Sequence, residues 1–161
     1  MKSLNILCVC LGLLCVGSAQ ETQQKTVADR TQAELRAARV MRTLNTAAIA
    51  YKTTFPNVGY PPTLNSMSSD ADSKDYSDAH AGLIEEALGC KNQPCPFHNY
   101  RFAYYKAGDG YVIIGRPQIY GTDSKLSLYS DDKGVIRGTL EDREATAKDL
   151  PIDQLLSGAS N

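Results

Sequence analysis

The chain has 161 residues, 42% of them hydrophobic and 22% charged. Such a composition predicts one folded domain, two at most, and argues against wholesale disorder. Seventeen Lys and Arg against eighteen Asp and Glu give a net charge of -1, which offers no strong field for nucleic acid or an anionic membrane. Trp is absent and His occurs only twice, so His-rich metal sites and multi-histidine catalysis are nearly excluded.

The chain opens as an export signal. Lys2 gives a short positive region, Leu4 to Val16 is an apolar run broken only by Asn5 and Gly12, and Gly17-Ser18-Ala19 puts small residues at a cleavage site. A bilayer-spanning helix needs about 20 apolar residues. This run is shorter, and polar Gln20 to Gln24 follows it directly. Residues 1–19 are therefore expected to be a signal peptide cleaved after Ala19, which places the protein in the periplasm or outside the cell. An uncleaved short anchor is the bland alternative. Lipid attachment at Cys8, Cys10 or Cys15 is disfavoured, because Leu7, Val9 and Leu14 precede them where a small residue is wanted. Cleavage leaves sixteen basic and eighteen acidic side chains, a net charge of -2. Only Cys90 and Cys95 then remain, and an even pair in an exported chain reads as a disulfide.

After a polar stretch, Ala37, Val40, Met41, Leu44, Ala48, Tyr51 and Phe55 recur at three- and four-residue steps and predict one apolar helix stripe. The predicted helix runs from Val27 to Thr54, about 42 Å at the usual rise. Thr26 with Asp29, or Thr31 with Glu34, would cap its start, and Pro56 would end it. Asn57 to Pro62 reads as a turn-rich corner and Ser66 to Ser77 as an exposed polar loop. A shorter second helix is expected from Ser77 or Asp78, carrying Leu83, Ile84, Ala87 and Leu88 and stopped by Gly89.

The period then changes. Tyr100, Phe102 and Tyr104 alternate with Arg101, Ala103 and Tyr105, which is strand spacing. Ala107-Gly108-Asp109-Gly110 turns into a strand at Tyr111 to Ile114, Leu126 to Tyr129 is a third strand, and Asp131-Asp132-Lys133-Gly134 turns into Val135 to Arg137. Segregated helix and strand predict an α+β fold: a long N-terminal spine helix packed on a three- to four-stranded antiparallel sheet, with a short second helix. The expected domains are 1–19 signal peptide, 20–138 the α+β domain, and 139–161 a charged, partly disordered tail.

Few residues point to chemistry. Four residues separate Cys90 from Cys95, unlike the two-residue spacing of redox sites, so the pair is expected to be structural. A zinc site from Cys90, Cys95, His98 and His80 has suitable ligand types, but export favours the disulfide. Asp70, Asp72, Asp75 and Asp78 imitate a calcium loop, yet Lys74, Asp75 and Ala81 stand where the helix–loop–helix motif needs an oxygen ligand, Gly and Glu. A solvated loop explains them, as a hairpin turn explains Asp131 and Asp132. Six of the twelve aromatics lie between Phe97 and Tyr111, beside Arg101, Lys106 and Arg116. A nucleic-acid stacking platform is conceivable there, but strand packing is the commoner use. No nucleophile elbow, zinc helix or phosphate loop occurs, so no catalytic residue, cofactor or metal is expected.

Arg42-Thr43-Leu44-Asn45-Thr46-Ala47-Ala48-Ile49-Ala50-Tyr51 and Thr54-Phe55-Pro56-Asn57-Val58-Gly59-Tyr60-Pro61-Pro62-Thr63-Leu64 resemble the end of the spine helix and the following corner in bacterial type IV pilins and type II secretion pseudopilins. Gly82 to Leu88, Tyr100 to Tyr104 and Tyr129 to Arg137 resemble their second helix and their first and last sheet strands. The likeness spans about residues 36 to 138. It implies a pilin-like structural or interaction module associated with a pilus or secretion system, with envelope proteins as partners. The chain departs from the family at its start. Members carry a prepilin site followed at once by a long apolar assembly helix, whereas here Gln20 to Asp29 is polar. The resemblance therefore implies a soluble exported module with no stable membrane insertion after cleavage. The alternatives are a membrane-attached minor pilin or pseudopilin, and a small exported metal-binding protein or hydrolase using His80, His98 or the Asp-rich loop.

Overall fold

A computed structural model describes residues 17–69 and 75–157. Helix α1 spans Gly17–Thr54. No Gly or Pro interrupts it between Ser18 and Thr54, which is what lets one helix run so far. It starts ten residues before the predicted Val27. Neither Thr26 with Asp29 nor Thr31 with Glu34 caps a terminus, and Glu34 instead accepts a hydrogen bond from Ser124 Oγ at 2.8 Å. Most of the predicted export signal, residues 1–16, lies outside the described residues, while Gly17 to Ala19 form the first turn of α1.

Six strands follow: β1 Cys95–Phe97, β2 Tyr100–Ala107, β3 Gly110–Pro117, β4 Ser127–Asp131, β5 Arg137–Thr139 and β6 Leu150–Pro151. They pair antiparallel in chain order, as a single meander. The central register sets Phe102 opposite Gly115, and Gly115 opposite Leu128.

The expected fold class is overturned. The sheet has six strands and not three or four, the second helix is absent, and the molecule is mainly β-sheet, with one substantial helix ahead of it and small helical pieces around it. Residues 77–88 form an extended strap ending in one 3-10 turn at Glu86–Leu88. Two features explain this. Gly82 sits at φ +65°, a conformation that interrupts a helix and suits Gly. The amides of Leu83 and Ile84 both donate to Met67 O, fastening the strap to the short helix α2, Leu64–Met67, instead of to itself. Helix α2 occupies part of the expected exposed loop, with Thr63 and Ser66 as a reciprocal capping box. Gly89 allows close approach: a Cβ there would lie 2.1 Å from Ser68 Cβ.

The expected tail also takes part in the fold. Its boundary at residue 138 falls inside β5, and β6 and helix α3, Ile152–Ser157, extend the sheet edge. Ala145 and Ile152 are buried. The sequence from Ser157 to Asn161 predicts disorder, but Ser157 is the last residue of α3, and residues 158–161 lie outside the described residues.

The core lies between α1 and the inner sheet face. Met41, Leu44, Ala48 and Tyr51 of the helix stripe meet Tyr100, Phe102, Tyr104, Tyr111, Ile113 and Leu128 in one buried cluster. Strand alternation explains the selection, since residues two apart share a face. The same rule sends Arg101, Ala103 and Tyr105 of β2, and Val112, Ile114 and Arg116 of β3, to the outer face.

Candidate interaction faces

Cys90 and Cys95 form a disulfide. Cys95 opens β1 and is fully buried, and its Cα partner on β2 is Phe102. The link ties the strap to the first hairpin, and closing so short a loop contributes about 2 kcal/mol. Just before it, Gln93 Oε1 accepts from the Tyr104 amide, where β1 no longer reaches β2. A side chain thus satisfies a strand edge that would otherwise be open.

The disulfide consumes two of the four ligands in the candidate zinc set of Cys90, Cys95, His98 and His80. His98 follows β1 at φ 51°, its ring 4.3 Å from that of Phe97. His80 lies on the strap, where its amide donates to Ser77 O at 3.1 Å. Among the described residues, no group of three His, Cys, Asp or Glu is placed to hold a metal ion. Asp70 and Asp72 lie outside those residues, and Asp78 gives its backbone carbonyl to the Tyr51 hydroxyl. Asp131 closes its hairpin, with Oδ1 accepting from the Lys133 amide at 3.0 Å.

Most of the predicted aromatic cluster faces inward. Tyr100, Phe102, Tyr104 and Tyr111 are at most 2% exposed, so they cannot form a stacking platform. Two polar networks thread this core, and sequence reasoning missed both. Tyr111 OH donates to Asn45 Oδ1 at 2.9 Å, and Asn45 Nδ2 donates to Ser130 Oγ at 2.9 Å, joining α1 to β3 and β4. Tyr100 OH lies 2.9 Å from both Ser124 Oγ and Leu126 O, and Ser124 Oγ in turn donates to Glu34 Oε1 at 2.8 Å. Tyr104 OH is different, being buried with no hydrogen-bond partner among the described residues. Burial pushes the ionisation of Tyr100, Tyr104 and Tyr111 well above the ordinary phenol value. These networks hold the fold together and are closed to any ligand.

Two faces remain open. On the outer sheet face, Pro94, Arg101, Ala103, Tyr105, Ile114, Arg116 and Glu144 line a depression of about 250 Å³. Arg101 and Arg116 are register partners. Arg116 is paired with Asp142 at 2.6 Å, whereas Arg101 is exposed with no ion-pair partner among the described residues. The returning segment 140–149 crosses this face and is held by a fork: Arg143 Nη1 and Nη2 reach the two carboxylate oxygens of Asp149 at 2.9 and 2.6 Å. The Arg143 guanidinium holds the Asp149 carboxyl well below the usual carboxylate range. The second open face is the solvent side of α1, where Arg36, Arg39, Arg42, Thr46 and Ile49 are exposed.

No helix among the described residues is long and apolar enough to cross a membrane. No family model, curated protein or solved structure matches the chain.

Proposed function

We propose that the protein is an exported, pilin-like structural or interaction module that works by presenting surfaces and not by catalysis, in association with a pilus or type II secretion assembly. The observation that carries this reading is α1. Its packed stretch, Ala33 to Tyr51, lies on the inner face of an antiparallel meander. The spine-and-corner residues that resemble pilins fall at the end of that packed stretch and the turn after it. The apolar run Leu4 to Val16, followed by polar Gln20 to Asp29, supports export with release.

The test is to express the full chain in a bacterial host and fractionate it. Recovery in the periplasm or medium with an N-terminus at Gln20, and particles without filaments by electron microscopy, is the expected result. Retention in the membrane with residues 1–19 intact, or filaments from the purified protein, would overturn the reading.

A further inference from the structure

We propose that the solvent face of α1 docks an acidic amphipathic helix of a partner protein. The inference needs only this face, and stands whether or not the export and pilin-like readings hold. Leu35, Arg39, Arg42, Thr46, Ile49 and Thr53 recur at alternating four- and three-residue steps, the spacing that keeps one helix seam against another. All six are exposed, Ile49 by 51% and Leu35 by 37%. Arg36 flanks the seam.

Charge chooses the partner. The sequence has no acid from Leu35 to Ser69, so every charge α1 shows there is positive. Among the described residues neither the Arg39 nor the Arg42 guanidinium has a carboxylate or hydrogen-bond partner. Arg36 reaches only Gln32 O, at 3.3 Å. Glu34, one position before the seam, is turned to Ser124. A chain that is acidic overall thus shows a locally cationic helix face, and opposite charges across an interface both steer encounter and fix register.

Shape agrees with a helix as occupant. Thr43, Thr46, Ala47 and Ala50, with Leu83 of the strap, line an open groove of about 340 Å³ beside the seam. Small side chains let a second backbone come close, and Ile49 gives an aliphatic anchor. The hydroxyls of Thr46 and Thr53 are already bound to the carbonyls of Arg42 and Ile49, each at 3.0 Å, and ask nothing of a partner. A second copy of the chain set face to face would bring together two faces whose charges are all positive. A membrane surface would meet only Leu35 and Ile49 where an interfacial helix presents a broad apolar face.

The experiment is calorimetric titration of the purified chain with a synthetic amphipathic helix, Leu at its seam and Glu at the flanking positions, and with its Lys-for-Glu counterpart. Binding of the Glu peptide only, weakened by salt, is expected. The double variant R39E/R42E should weaken it by at least about tenfold, four units of charge at exposed-pair strength, with an unchanged melting temperature. Arg101→Glu, on the outer sheet face, should leave it within about twofold. Three results would overturn the proposal: equal binding of both peptides, no effect of R39E/R42E, or no binding to the Glu peptide. Adsorption of the chain to phosphatidylglycerol vesicles that R39E/R42E abolishes, without peptide binding, would assign the face to membranes instead.

Discussion

Tyr104 and Tyr111 stack at 5.4 Å between ring centroids, each at most 1% exposed, and differ mainly in what their hydroxyls meet. Tyr111 donates to Asn45 Oδ1, whereas Tyr104 has no partner among the described residues. Removing each oxygen should therefore act in opposite directions. A buried hydroxyl without a partner carries a desolvation cost of about 1–3 kcal/mol. Tyr104→Phe relieves that cost, offset in part by a small cavity, and should stabilise by about 1 kcal/mol. Tyr111→Phe loses a hydrogen bond and leaves Asn45 Oδ1 only the Ser130 hydroxyl, at 3.2 Å, so it should destabilise by about 1–2 kcal/mol. The two variants should therefore differ by about 2–3 kcal/mol, or about 5–10 °C in Tm for a chain of this size. Urea unfolding followed by circular dichroism measures the difference, with an unchanged m-value as the check that only stability moved. Equal losses in the two variants would refute the reasoning, because Tyr104 would then have a partner in solution.

Leu44→Ala should cost about 2–5 kcal/mol by urea unfolding, because the side chain is fully buried between α1 and the sheet. Reducing Cys90–Cys95 should lower Tm by about 4–8 °C, the melting shift equivalent to about 2 kcal/mol of loop entropy, and a scan with and without dithiothreitol checks it. Burial raises Tyr100, Tyr104 and Tyr111 in the folded state, so the unfolded chain releases their protons first. Stability should be unaffected by these groups below about pH 10 and fall above it, by up to about 1.4 kcal/mol per pH unit for each. Phenolate absorbance should accordingly show three of nine tyrosines titrating only as the protein unfolds. Asp149→Ala removes the fork that holds segment 140–149, and tryptic cleavage after Arg143 and Lys148 should accelerate, with little change at Arg101.

The parts of the fold legible in the sequence are those whose causes are local. Seven apolar positions mark the stripe of α1, and Ala107 to Gly110 and Asp131 to Gly134 announce two hairpins through their Gly and Asp residues. The rest depended on contacts distant in sequence. Leu83, Ile84, Ala87 and Leu88 have helical spacing, but Met67 O takes two amides and Gly82 breaks the run. Strand β1 follows Pro94 and contains Pro96, residues that usually argue against a strand. It survives as a short edge, completed by the disulfide and by Gln93. Segment 139–157 reads as a tail because it is charged, yet four of its charges are paired, in Arg143–Asp149, Arg143–Glu141 and Arg116–Asp142.

The same dependence explains why the open faces were hidden. A net charge near zero suggests no field, but that sum is blind to placement. Folding turns Glu34 inward to Ser124, gathers Asp142 and Asp149 on the outer sheet face, and leaves Arg36, Arg39 and Arg42 together on α1. Exposed like charges at three-residue spacing repel mildly within one helix. They contribute nothing to this fold by pairing, and neutralisation by an acidic partner would relieve the repulsion. Glu34, Asp142 and Asp149 hold the chain's own segments while these arginines stay unpaired among the described residues, and R39E/R42E is the change that separates a binding role from a purely structural one.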